Sequence, residues 1–158
     1  MGVCLYWAEG SKEKRQKPGQ KFVFCNMDPR MIQIMIVWLL RVCNIDRSMI
    51  FFSIYLHENH KDRLKEVEKY WSKITGFSSS NFKKTLWKKH TTKTKRTNIS
   101  ERYFGLLRIE VKASNKLVRK ITGWFDGISE KIIGGSSNGR TSGFGPENLG
   151  PNPNPPAA

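Results

Sequence analysis

The sequence predicts an α+β fold in which helices pack on one face of a mixed β-sheet. Three observations predict it. Three segments repeat apolar residues at helical spacing on a single stripe: Ile32, Met35, Leu39 and Val42; Leu64, Val67, Trp71 and Ile74; Leu117, Ile121, Trp124 and Ile128. Between them lie short runs rich in aromatic and β-branched residues, the composition of strands. One of these, LLRIEVK at residues 106 to 112, alternates cleanly, with Leu107, Ile109 and Val111 on one side and Arg108, Glu110 and Lys112 on the other. A helical layer therefore covers one face, and the second face is left to solvent or ligand.

Taken in order, MGVCLYWAEG (residues 1 to 10) reads as a short buried helix that delivers Glu9 to its end, with Gly10 releasing the chain through the left-handed region. Residues 11 to 21 hold Lys12, Lys14, Arg15, Lys17 and Lys21 against Glu13 and contain Pro18-Gly19, a basic turn. KFVFCN (21 to 26) is a strand. Asp28-Pro29 then starts a mostly buried helix, because Asp accepts from the free N–H groups and Pro suits the first helical position. Its apolar face is widened by Ile34, Ile36 and Trp38. IFFSIYL (50 to 56) reads as a strand apolar on both faces except at Ser53. A helix over 61 to 75 follows, and Gly76 stops it. Residues 78 to 80 form a loop, 82 to 89 a strand, and 90 to 103 an extended polar loop. Ser114 or Asn115 caps the last helix, and regular structure ends near residue 133.

Composition narrows the partners. The chain has 158 residues, enough for one domain, with 28 Lys and Arg against 13 Asp and Glu, a net charge of +15. That excess points to nucleic acid or an anionic surface. The longest apolar run, residues 31 to 40, is too short to span a bilayer, and no cleavable signal precedes it, so no membrane partner is expected. Cys4, Cys25 and Cys43 share no metal-ligand spacing and sit in apolar surroundings, as reduced, buried thiols of a cytoplasmic protein.

From residue 134 the composition turns to Gly, Ser, Asn and Pro, which reads as a disordered tail beyond a nucleic-acid-binding domain of residues 1 to 133. Codons exist that would pair Ser142-Gly143 with Pro146-Glu147 as an anticodon stem and Ser136-Ser137 with Arg140-Thr141 as a D arm. The tail thus reads as a transfer-RNA gene translated as protein, with no selected function of its own.

The densest cluster is Lys83, Lys84, Lys88, Lys89, Lys93, Lys95 and Arg96, with Phe82, Trp87 and His90 interleaved and no acid between. Lysines neutralise phosphates with counterion release, and aromatics stack on bases. A solvated basic loop is the plainer reading, and the unbroken run of positive charge favours nucleic acid over it. Arg108, Lys112 and the turn with Lys12, Lys14 and Arg15 extend the surface. His57-Glu58-Asn59-His60 lacks the spacing of a metal motif and reads as a strand end. Glu9 is the candidate metal-binding and catalytic carboxylate, and Asp126 a weaker one. On spacing alone, an ordinary acid at a helix end is the better explanation of Glu9.

The segment VCLYWAEG (3 to 10) resembles a diverged LAGLIDADG helix, whose last acid binds the catalytic metal in homing endonucleases. LYWAEG, FVFCNMDPRMI (22 to 32), IYLHENH (54 to 60), FKKTLWKKH (82 to 90) and TKRTN (94 to 98) are similar to a group of uncharacterised bacterial proteins. LLRIEV and KITGW (120 to 124) also match them, and a helix-turn-helix often precedes the LYWAEG helix there. This chain accordingly looks truncated at its N-terminus. The resemblance implies a saddle-like sheet lying on double-stranded DNA, with the first helix at a two-fold interface of a homodimer. Of the family's site residues only Glu9 carries over, so Mg²⁺-dependent cleavage would need a second Glu9 from a partner subunit or, failing that, Asp126. The alternatives are a non-catalytic DNA-binding or regulatory module and a non-functional fragment.

Overall fold

A computed structural model describes residues 1–11, 19–89 and 103–134. The chain divides into two compact units, Met1–Phe125 and Asp126–Ala158, and the described part of the second is the end of the last helix. The tail from residue 135 onward lies outside the described residues, as do residues 12 to 18 and 90 to 102.

Helix α1 spans Gly2–Glu9. Its inward residues are Gly2 and Tyr6, one helical turn apart. A Cβ on Gly2 would lie 2.3 Å from the Trp38 indole, so only glycine lets this helix seat against its neighbour. Tyr6 stacks on Phe22 at 4.6 Å between ring centroids, and its hydroxyl donates to the Ser11 carbonyl. Burial pushes the Tyr6 phenol above its ordinary range. Cys4 is exposed, against expectation, because it sits on the side of the turn away from Gly2 and Tyr6. Cys25 and Cys43 are half-buried, and all three thiols are free. Gly10 also differs from expectation: its backbone is extended (φ −85°, ψ 163°), and glycine is required there because a Cβ would meet the Tyr6 ring at 2.4 Å. The chain leaves α1 directly into a β-bridge between Gly10 and Phe24.

Strand β1 is Val23–Asn26 and helix α2 is Pro29–Arg41. Asp28 caps α2, its carboxylate accepting from the Arg30 N–H at 2.8 Å. Ile32, Met35, Ile36, Trp38 and Leu39 are buried, whereas Ile34 and Val42, predicted on the apolar face, are 39% and 58% exposed. The inward stripe is narrower than the sequence suggests because α2 packs on the sheet along one side only. Strand β2 is Ile50–His57, followed by a 3-10 turn, Glu58–Arg63, and helix α3, Leu64–Thr75. Gly76 ends α3 at φ +68°, the left-handed conformation expected of it. Strand β3 is Phe82–Lys88, strand β4 Leu106–Val111 and helix α4 Asn115–Gly134.

The hydroxyl of Ser114, expected to cap α4, does other work. It accepts from the Phe22 N–H at 2.7 Å and donates to the Val111 carbonyl at 2.8 Å, tying the entry of β1 to the end of β4. The only cap Ser114 supplies to α4 is its backbone carbonyl, bonded to Val118.

The four strands form one mixed sheet in the order β1-β4-β2-β3. β4 is antiparallel to both β1 and β2, and β2 runs parallel to β3. Parallel neighbours need a crossover, and α3 supplies it between β2 and β3. Phe22, Phe24, Ile50, Phe52, Ile54, Leu56, Leu107, Ile109 and Val111 all point to one side and form a single core with the buried faces of α1, α2, α3 and the start of α4. The predicted arrangement, helices on one face of a mixed sheet, is the arrangement found.

Candidate nucleic-acid interface

Strand alternation decides what the other face displays. If Ile50, Phe52, Ile54 and Leu56 point inward, then Phe51, Ser53, Tyr55 and His57 point outward. The pairing register aligns them with their neighbours: Cys25, Arg108, Ser53 and Lys84 form one row, Leu106, Tyr55 and Leu86 another, and His57 stands beside Lys88.

A β-bulge alters this pattern where it matters most. Phe52 pairs with Phe82 and Ser53 with Lys84, so Lys83 has no register partner. Lys84 takes the outward position in the row, and Lys83 also reaches the outer face, its Nζ 3.7 Å from the centre of the Phe51 ring. Regular alternation would have sent one of two adjacent lysines inward. Lys112 Nζ lies 5.1 Å from the same ring, and Lys88 Nζ lies 5.5 Å from the Tyr55 ring. The face is thus a floor of two rings bordered by Lys83, Lys84, Lys88, Arg108 and Lys112.

Glu110 is its acid. Arg108 Nε stands 2.9 Å from Glu110 Oε1, close enough for an ion pair although the N–H does not point along that line. Arg108 also donates from a terminal nitrogen to the Tyr55 hydroxyl at 2.9 Å, which fixes the guanidinium over the sheet. Burial works against the charge on Arg108, but the Tyr55 hydrogen bond and the Glu110 carboxylate outweigh it and raise its pKa. Ser53 donates weakly to Glu110 at 3.4 Å. A cavity of about 300 Å³ opens here, lined by Phe51, Lys83, Lys84 and Arg108 among others.

Of the residues singled out from sequence, the fold gathers Lys83, Lys84, Lys88, Arg108 and Lys112. Lys89 is exposed just past the end of β3. Trp87 pairs with inward-facing Leu56 and so lies on the opposite side of β3, 37% exposed, with Lys61 Nζ 5.7 Å from its ring. Lys12, Lys14, Arg15, His90, Lys93, Lys95 and Arg96 fall outside the described residues. Phe51, Tyr55, Ser53 and Glu110 were not singled out as site residues. For Phe51, Ser53 and Tyr55 the signal was the alternation within IFFSIYLH, hidden because the outward positions of β2 are themselves partly aromatic; Glu110 was already legible on the polar side of LLRIEVK.

Glu9 is exposed at the end of α1, next to the bridge onto β1, whereas Lys83, Lys84 and Lys88 stand on β3 at the far edge of the sheet. Three strand spacings, about 14 Å, separate those edges. Asp126 is exposed and belongs to the second unit. Among the described residues no three His, Cys, Asp or Glu side chains come together to hold a metal ion. His57 and His60 instead pack against Tyr103, at 5.7 and 5.2 Å between ring centroids, and burial together with Arg63 and His57 lowers the His60 pKa. No described helix is long and apolar enough to cross a membrane.

Comparison with protein-family models, curated proteins and solved structures finds no match to this chain.

Proposed function

We propose that this protein binds nucleic acid through the open face of its sheet. The observation that supports the proposal is the gathering of Lys83, Lys84, Lys88, Arg108 and Lys112 on one face around two aromatic rings, with Glu110 the acid among them. Among the described residues none of the four lysines is in an ion pair, so their charge is available to phosphates.

Titrating labelled oligonucleotides, duplex and single-stranded, at several salt concentrations tests this. Affinity should fall steeply with salt, and each phosphate contact removed by replacing a lysine with glutamine should flatten the slope by about 0.9 on duplex DNA or about 0.7 on a single strand. Affinity independent of salt would reject the proposal.

A LAGLIDADG-like nuclease acting on duplex DNA is the more specific reading. Glu9 is a single exposed carboxylate and does not by itself fit a Mg²⁺ site, so two copies would have to pair through α1 to bring two such groups together. The side of α1 that bears Met1, Cys4 and Ala8 is exposed, as that pairing requires. Nicking of supercoiled plasmid with Mg²⁺ by the parent but not by Glu9→Gln would support it. Equal silence from both, with DNA binding retained, leaves the non-catalytic binding module.

A further inference from the structure

The cavity at the bulge points to the form of nucleic acid the face takes. We propose that it holds one nucleotide of an unpaired strand, its base stacked on Phe51 and its phosphate between Lys84 and Arg108. This rests on the nucleic-acid reading above and deepens it.

Phe51 lies on β2, an interior strand, so its ring forms part of the floor of the sheet rather than its rim. In a duplex the faces of the bases are covered by their neighbours, and only edges and backbone are offered to a protein. A ring lining a cavity on this face can stack on a base whose own face is free, as in an unpaired strand. The cavity volume of about 300 Å³ is at the small end of ligand pockets, which run from roughly 300 to 1,000 Å³. It suits a single nucleotide and is too small for a double helix to enter.

The cavity is lined by three cationic side chains, Lys83, Lys84 and Arg108, and one carboxylate, Glu110, which is paired with Arg108. Lys84 and Arg108 stand either side of Ser53 in one row across the sheet, and Arg108 is held in place by Tyr55 and Glu110. Lys83 covers the Phe51 ring at 3.7 Å. A stacking base displaces this long side chain, whose ammonium then turns to the backbone of the same strand. The bulge is what makes both lysines available to one nucleotide. Tyr55, one outward position beyond Ser53 with Lys88 over its ring, offers the next base a second platform.

The experiment compares a single-stranded DNA, the same sequence as RNA, and the DNA duplex, by fluorescence anisotropy at one salt concentration. Wild type should bind one or both single strands at least about ten-fold more tightly than the duplex. Phe51→Leu, shown by circular dichroism to keep the fold, should lose about ten-fold on the single strand and markedly less on the duplex. Phe51→Trp should restore the loss. The DNA and RNA arms show which unpaired strand is preferred. Duplex binding as tight as single-strand binding, or a Phe51→Leu loss equal on both, overturns this inference and leaves the basic-surface reading standing. Salt-insensitive or absent binding to all three removes both.

Discussion

Phe51 and Phe52 are neighbours in sequence and occupy opposite sides of the same strand. Phe52 is fully buried, with its ring centre 5.0 Å from those of both Phe77 and Phe82. Phe51 is only partly buried, with two lysine ammonium groups near its ring. The contrast holds along the whole sheet: one face is aliphatic and aromatic with no charge, the other mixes rings with lysines and a fixed arginine. Hydrophobic stabilisation follows the apolar area removed from water, so the closed face supplies the cohesion of the fold. The open face keeps part of its surface in water and is left free to bind. Substitutions on the two faces should therefore be read out by different measurements.

The largest expected effect is Phe52→Ala, which removes a ring from the centre of the core and should cost about 3–5 kcal/mol in urea unfolding. Phe51→Ala should cost clearly less, about 1–2 kcal/mol, because part of that ring keeps its contact with water. Equal losses would break the two-face description. Next is Ser114→Ala. It leaves the buried Phe22 N–H without its acceptor and should cost about 1–3 kcal/mol, well above the cost of an ordinary surface serine.

A pH titration sharpens the assignment of Tyr6 to the closed side. Its phenol pKa is raised by burial, so its contribution is complete below the ordinary phenol range and is lost as pH rises through the folded-state value. Tyr6→Phe should thus be less stable than the parent by about 0.5–1.5 kcal/mol at neutral pH, the hydrogen bond to Ser11 being gone. The gap between the two proteins should close as pH is raised above that range. A gap that stays constant would mean Tyr6 does not titrate with unfolding. The smallest effect on stability belongs to the open face. Replacing Lys83, Lys84 and Lys88 together by glutamine should shift unfolding by no more than about 0.5 kcal/mol while flattening the salt dependence of binding.

Much of this fold was legible in the sequence because its signals are local. The Asp28-Pro29 start of α2, the Gly76 stop of α3 and the alternation of LLRIEV each report the conformation of a few consecutive residues. The inward-facing residues of β4 followed at once, and Arg108 and Lys112 were placed on the polar side correctly. Other readings missed for reasons that are also physical. Gly10 is small because Tyr6 folds back against it, a contact invisible to a rule about backbone torsions. Ser114 had the right chemistry for a helix cap, but a buried N–H more than ninety residues earlier in the chain competed for its oxygen and won. Cys4 was expected to be buried, since a short apolar helix gives little sign of which side meets the core.

By itself the sequence determined the approximate positions of the helices and strands, most of their inward residues (Ile34, Val42 and Ile128, expected inward, are exposed), and the excess of positive charge. Only the tertiary structure decided where that charge collects. Insertion of β4 between β1 and β2 sets Arg108 beside Ser53 and within reach of Tyr55. The parallel pairing of β2 with β3, with its bulge opposite Ser53, then brings Lys83 and Lys84 to the same rings. Periodicity fixes which way a side chain points relative to its own strand. Which strand lies alongside, and in what register, depends on contacts between distant residues, and those form only when the core closes.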